Sequence, residues 1–344
     1  MKKFIPIILL GFIFPACKTN YVHISVMDPA PVTVPNTIRK AGVLNRSIPS
    51  DDAKTLNTIH QVLSGETAAM VKEGSAESIR GLKDALMENN RFELVKQLDS
   101  TVLKGPGFGI FAAPLSWEQV ESICRANNID ALFALEMFDT ELKINPIVIP
   151  PKTTNPLDVI ASVQQQVNME TTVKTGWRIY DPGNRLIVDE YTIFQNMTFT
   201  ARGVTVVAAT GALISRKEAV KQTANKVGHM YADRILPYWT KVTRDYYVKA
   251  NSNFKIAKRK ARTGNWNGAA EIWEKETTNS SRKVAGRACY NMAIINEING
   301  NLDKAIEWAQ KSYENYNIRL ARDYVNMLRN RKYQSDRLKS QEIK

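Results

Sequence analysis

Cysteine and histidine are scarce: the 344-residue chain has three of each. Cys17, Cys124 and Cys289 stand far apart, with no CxxC pair and no Cys/His spacing, which argues against zinc-site and thioredoxin-like patterns. Cys124 and Cys289 read as small buried residues, with a mutual disulfide left open as an alternative. His23, His60 and His229 fall in no metal-binding spacing. No GxSxG, HExxH or Walker sequence occurs. Gly105-Pro106-Gly107-Phe108-Gly109 lacks the GxGxxG spacing and reads as a flexible loop. No apolar run reaches the ~20 residues that a membrane-crossing helix needs. The expectation is a protein with no enzymatic activity, no cofactor and no metal.

What is present begins at the first residues. Lys2 and Lys3 precede an apolar run from Phe4 to Phe14, broken only by Pro6 and Gly11, and Ala16 is followed by Cys17. A positive start, a short apolar stretch and a small residue make a secretory signal peptide. Phe14-Pro15-Ala16-Cys17 resembles the lipobox of bacterial lipoproteins, although Phe and Pro are unusual at its first two positions. The resemblance implies that residues 1–16 are removed and that Cys17 is lipidated, with acyl chains contributing about 0.8 kcal/mol per buried methylene to anchoring. No acidic pair follows Cys17 in Lys18-Thr19-Asn20-Tyr21, and the expected place is the periplasmic face of the outer membrane.

The net charge of +13 is unevenly spread. Residues 251–344 hold 19 Lys+Arg against 10 Asp+Glu, whereas residues 17–250 hold 26 against 24. A basic helical segment suits an anionic headgroup, a glycan or an acidic protein, or is a solvated surface without a partner; export disfavours nucleic acid.

Residues 17–36 read as a lipidated start with a first strand at 22–27 and a Pro-rich link, and 37–250 as an α/β domain. Ile38–Asn45 and Arg91–Val95 read as strands, and Ser75 as the cap of a helix carrying Ile79, Leu82 and Leu86 on one face. Ser116-Trp117-Glu118-Gln119 fits a capping box, with Leu115 and Val120 as its staple and Asn127-Asn128 as the stop. Ala131–Leu135 is a continuous apolar run, as in a strand covered on both faces. Glu136, Asp139 and Glu141 gather after it, a pattern that suits a cation or a general acid but more simply a solvated strand end. Residues 144–158 read as a Pro-rich loop. Two β-rich runs, 169–180 and 185–194, flank the turn Asp181-Pro182-Gly183-Asn184, where Pro presets one dihedral and Gly frees the next. Residues 203–214 carry no charge, and read as a lead-in to a helix at 215–236 or as a membrane-inserting hairpin. Val242–Val248 reads as a last strand.

This order, with "NNRFELV", "VESICRANNIDALFAL" and "VKTGWRIYDPGNRLIVD", resembles the α/β domain shared by the TolB N-terminal domain, the curli-secretion lipoprotein CsgG and lipoprotein activators of penicillin-binding proteins. The whole layout, with its "PAPVTVP…NRS" segment, resembles a family of Bacteroidetes lipoproteins, a likeness that implies no activity.

From Asn251 the chain is helical and repeats. Gly264-Asn265-Trp266-Asn267-Gly268-Ala269-Ala270-Glu271 recurs as Gly300-Asn301-Leu302-Asp303-Lys304-Ala305-Ile306-Glu307, and Ala257 matches Ala293 at the same 36-residue offset. This resembles the tetratricopeptide repeat, where Gly ends one helix and small Ala residues let two helices approach. Residues 318–331, with Leu320, Tyr324 and Leu328, read as a capping helix. The expected fold class is therefore α+β: a mixed α/β sandwich resembling TolB-N and CsgG, then an all-α tetratricopeptide-like helical domain at 251–344. The expected function is a membrane-anchored adaptor or scaffold that holds a protein or peptide in a groove between helices, with Lys258, Arg262 and Lys304 as contact residues. The alternative is a structural subunit of a CsgG-like secretion or pore complex. The partner's identity and the oligomeric state stay open.

Overall fold

The computed structural model describes residues 19–49, 65–99, 103–107, 109–149 and 164–341. Cys17, the leader, His60 and Phe108 lie outside them. The chain is α+β and forms two compact units: residues 29–238 with 337–344, and residues up to 28 with 239–336. The last strand of the expected 37–250 domain falls in the second, helical unit.

In chain order the elements are β1 Thr19–Asp28, β2 Lys40–Asn45, α1 Gly65–Glu88, β3 Leu94–Gln97, α2 Trp117–Asn127, β4 Ala131–Ile149, β5 Gln164–Asp181 and β6 Leu186–Gly203. They continue as α3 Val206–Gly211, α4 Arg216–Ala232, β7 Tyr238–Tyr247, α5 Ser252–Arg262, α6 Trp266–Glu276, α7 Arg282–Ile298, α8 Leu302–Glu314 and α9 Arg319–Gln341.

The α+β unit is built on a mixed sheet of order β3-β2-β4-β5-β6. β2 runs parallel to β3 and β4, while β4, β5 and β6 are antiparallel. Strand alternation sends Ala131, Phe133 and Leu135 to one face and Leu132 and Ala134 to the other. The first face packs on Ile79, Leu82 and Leu86 of α1 and on Tyr231 of α4; the second packs on Val120 and Cys124 of α2. Both faces of β4 are dry over Ala131–Leu135, which is why that stretch is unbroken in apolarity. Trp177 of β5 stacks on Tyr231 at 4.9 Å between ring centroids.

Helices α1 and α4 touch backbone to backbone. A Cβ on Gly81 would sit 2.1 Å from the Asn225 carbonyl oxygen, and one on Gly228 would sit 2.1 Å from that of Ser78. The Ser78 hydroxyl donates to the Ala224 carbonyl at 3.0 Å across the same seam.

The capping box at Ser116 forms, and Asn128 ends α2 in the left-handed region at φ 53. Other expectations are corrected. Ser75 caps nothing: it lies inside α1, buried, donating to the Lys72 carbonyl and accepting from the Asn45 side chain at 2.9 Å. The segment from 144 is not loop up to Ile149, because β4 continues and Pro146 pairs in register with Val167. Among the described residues β2 pairs with β4 only over Ala131–Leu135, which leaves this part of β4 as an edge, where a missing N–H costs little. In the β5–β6 turn the positive φ of 49 falls on Arg185, not on Gly183. The Asp181 carboxylate takes the strain by accepting from the Gly183 and Asn184 amides at 2.9 and 3.3 Å.

The helical unit pairs β1 with β7 in a two-stranded sheet. Tyr246, Phe254, Trp273, Ile294, Tyr324 and Leu328 lie in one core with the alanines of the repeat. Tyr324 and Leu328 of α9 are buried, whereas Leu320 is 44% exposed rather than on the inner face.

Candidate functional site

The repeat residues come together as two equivalent helical hairpins, α5–α6 and α7–α8. Gly264 and Gly300 both have positive φ, 80 and 75, and both turns carry the same backbone bonds, while only Asn265 adds a side-chain cap, accepting from the Gly268 N–H. Asn265 N–H donates to Lys260 and Asn301 N–H to Asn296, at 3.0 and 2.8 Å. Ala257, Ala269, Ala293 and Ala305 are all fully buried, which lets each pair of helices close. Neither turn glycine has an atom within 4 Å of its would-be Cβ, so backbone conformation alone selects them.

The inner face that a peptide groove would use is already filled. Every residue of α7 from Val284 to Glu297 is buried. The Asn291 amide grips the backbone of Tyr247 on both sides, donating to its carbonyl at 2.8 Å and accepting from its N–H at 2.7 Å. Arg244 places a two-pronged fork on Glu297 at 2.8 and 2.7 Å, and the Tyr324 hydroxyl donates to the same carboxylate at 2.6 Å. Arg287 donates to the Lys249 carbonyl. The chain's own residues 244–249 thus lie on α7 as a bound strand would. The α7 face of the expected groove is taken up by the chain itself. Sequence reading missed Asn291 and Glu297 because buried polar residues in a helix look like surface ones until their partners are known.

The contact residues do not form one set. Lys255, Lys258, Arg259 and Arg262 recur at i, i+3, i+4 and i+7, on one face of α5. Together with Lys249 and Val248 they line an open hollow of about 320 Å³. Lys304 is exposed on α8 and is not among its lining residues.

Glu136, Asp139 and Glu141 do not converge. β4 bulges between Leu135 and Met137, and the extra residue, Glu136, is 0% exposed. Its carboxylate accepts from Arg46 at 2.5 Å and from the Tyr180 hydroxyl at 2.7 Å, with Arg178 at 3.8 Å. The two arginines continue outward: Arg178 donates to the Ala112 carbonyl and to Glu190 and lies over the Phe111 ring, and Arg46 reaches the Ala113 carbonyl. The Tyr180 hydroxyl accepts from the Leu115 amide at 3.2 Å. Burial pushes the Glu136 carboxyl up, against the pull of Arg46, and pushes the Tyr180 phenol up to about 12. Both carboxylate oxygens are engaged, and the group fixes the segment 111–116 onto the sheet. Asp139 and Glu141 are exposed, and Glu141 pairs with Lys143 at 3.0 Å. Among the described residues no group of His, Cys, Asp or Glu is placed to hold a metal.

Cys124 and Cys289 are free and buried, each with its thiol pushed up to about 11 by burial, so no disulfide joins them. The uncharged stretch after β6 forms the short helix α3, capped by Thr205, and leaves Val204 and Val207 81% and 82% exposed. Among the described residues no helix is long and apolar enough to cross a membrane.

No curated protein matches the chain. Among solved structures it is similar to a PelC dodecamer subunit from Paraburkholderia phytofirmans, at 11% identity and a TM-score of 0.21, covering 61% of this chain and 96% of that one. It is also similar to a neuraminyllactose-binding hemagglutinin homolog from Helicobacter pylori, at 11% identity and a TM-score of 0.27, covering 56% and 81%. A family model described as a domain of unknown function (DUF6340) matches residues 255–330, the helical hairpins. A second, the domain of unknown function DUF8603, matches residues 38–247. That match takes in more than half of the chain, which therefore belongs to the DUF8603 family.

Proposed function

We propose that this protein is a lipid-anchored envelope adaptor, tethered through Cys17, that holds a protein partner on the outer surface of tetratricopeptide-like helical hairpins. The TolB-N/CsgG-like reading of the α+β unit belongs to the same proposal, as does the outer-membrane, periplasm-facing placement. The observation that carries it is the equivalence of the two hairpins, down to the φ of Gly264 and Gly300 and the buried Ala269 and Ala305. With the α7 face occupied by residues 244–249, the surface left for a partner includes Leu320 and Met327, seven residues apart on α9 and 44% and 43% exposed.

Two measurements test it together. Cys17→Ala should move the protein out of the membrane fraction and abolish incorporation of labelled palmitate. A photo-crosslinking residue at position 327 should give one discrete adduct in cells that Leu320→Glu removes. Retention in the membrane by Cys17→Ala, or no adduct from position 327, contradicts the reading.

A second reading, a structural subunit of a secretion or pore complex, is favoured by the exposed Val204 and Val207. Val207→Asp should then break a detergent-stable oligomer; a monomer in every mild detergent counts against it.

A further inference from the structure

We infer that the hollow on α5 is a binding site for a compact anion carrying two or more phosphates. Five cationic side chains, Lys249, Lys255, Lys258, Arg259 and Arg262, line it with Val248, and no carboxylate does. Among the described residues none of the five is in an ion pair, unlike Arg39 with Glu93, Lys217 with Glu73, Arg234 with Asp189 or Arg331 with Asp28.

The helix's own electrostatics do not explain the set. Cations are favoured in a helix's last turn, which accounts for Arg259 and Arg262. Lys249 and Lys255 stand before and near the N-terminus, where the dipole is positive and a cation is disfavoured. Cations three and four residues apart repel one another as well. A multivalent anion relieves both conflicts.

The shape and donor types narrow its chemistry. About 320 Å³ is at the small end of ligand sites, so the occupant is compact rather than a long polymer. Two guanidinium forks suit the paired oxygens of a phosphate, and the lysines act as point charges around them. Five cations around one small volume call for more than one negative charge, which a diphosphate, or a headgroup with two phosphates, supplies. The site uses neither the Cys17 anchor nor the outer face of α9, so it stands or falls apart from partner capture.

The test is calorimetric titration of the purified full chain with inorganic pyrophosphate, against sodium chloride at matched ionic strength. Saturable binding is expected, weakened at least about tenfold in Arg259→Glu/Arg262→Glu, a difference of about 1.4 kcal/mol. Lys255→Gln/Lys258→Gln should weaken it in the same direction, and Lys226→Glu, at an exposed position of α4, should leave it unchanged. All variants are first checked for an unchanged melting curve. A second arm adds phosphatidylcholine vesicles with and without cardiolipin. Cardiolipin-dependent binding that pyrophosphate displaces assigns the phosphates to a lipid headgroup; pyrophosphate binding without vesicle binding assigns them to a soluble ligand. Heat no greater than that of matched sodium chloride overturns the inference, as does equal pyrophosphate affinity in the Arg259→Glu/Arg262→Glu variant.

Discussion

Each unit buries one glutamate against arginine and tyrosine, and the two differ in how the charge is shared. Glu297 in the helical unit is met by a single arginine, Arg244, with both prongs, and by Tyr324. Glu136 in the α+β unit is divided between Arg46 and Arg178, with Tyr180, and both arginines also hold backbone carbonyls. The first is a rivet that fixes strand β7 to helices α7 and α9. The second is a hub that fixes an irregular segment to the sheet. Buried ion pairs give back in Coulomb attraction about what they cost in desolvation, so neither is a large net source of stability. Their effect is positional, and the number of cations at each decides how much is lost when one is removed.

That comparison breaks most visibly by mutation. Arg244→Ala strips Glu297 of the one cation paired with it among the described residues and should cost about 3–5 kcal/mol in denaturant unfolding. Arg46→Ala leaves Arg178 and Tyr180 on Glu136 and should cost less. Equal losses would mean that the second arginine compensates nothing.

Glycines sharpen the contrast at the next level. Gly228→Ala drives a Cβ to 2.1 Å from the Ser78 carbonyl oxygen and should cost about 3 kcal/mol or more, the upper range of overpacking. Gly264→Ala meets no atom within 4 Å and should lose only about 1 kcal/mol from its left-handed backbone. Both follow from melting curves.

The hub also carries a pH dependence of its own. The Tyr180 phenol is raised to about 12 in the fold, by burial first and Glu136 second. A raised folded value favours the neutral phenol, so its contribution is whole below about pH 10 and is lost as pH rises from 10 towards 12. Wild type should lose up to about 2 kcal/mol more than Tyr180→Phe across that window. Parallel curves would remove Tyr180 from the account.

How far these features were legible depends on their range. Ser116 and Gln119, Asn128, and the Gly264/Gly300 pair act within a few residues, and their spacing announced them. The run Ala131–Leu135 was legible because burial on both faces leaves no polar position. Pro146 misled because sequence does not say which side of a strand is an edge. Ser75 misled because a serine inside a helix reads as a cap until a distant partner, Asn45, is placed beside it. The Glu136 hub joins residues 46, 136, 178 and 180 through a bulge that no local pattern marks. On α5 the spacing of Lys255, Lys258, Arg259 and Arg262 was visible, but Lys249 joined the set only once β7 was docked.

That docking is the point on which partner placement turns. The direct measurement is hydrogen exchange at the Tyr247 amide, whose N–H donates to Asn291 at 2.7 Å. The account predicts protection matching that of the α7 amides, with β7 held permanently on the helices. Exchange at the rate of an exposed amide would contradict it, because the strand would then leave the α7 face and open that face to a peptide.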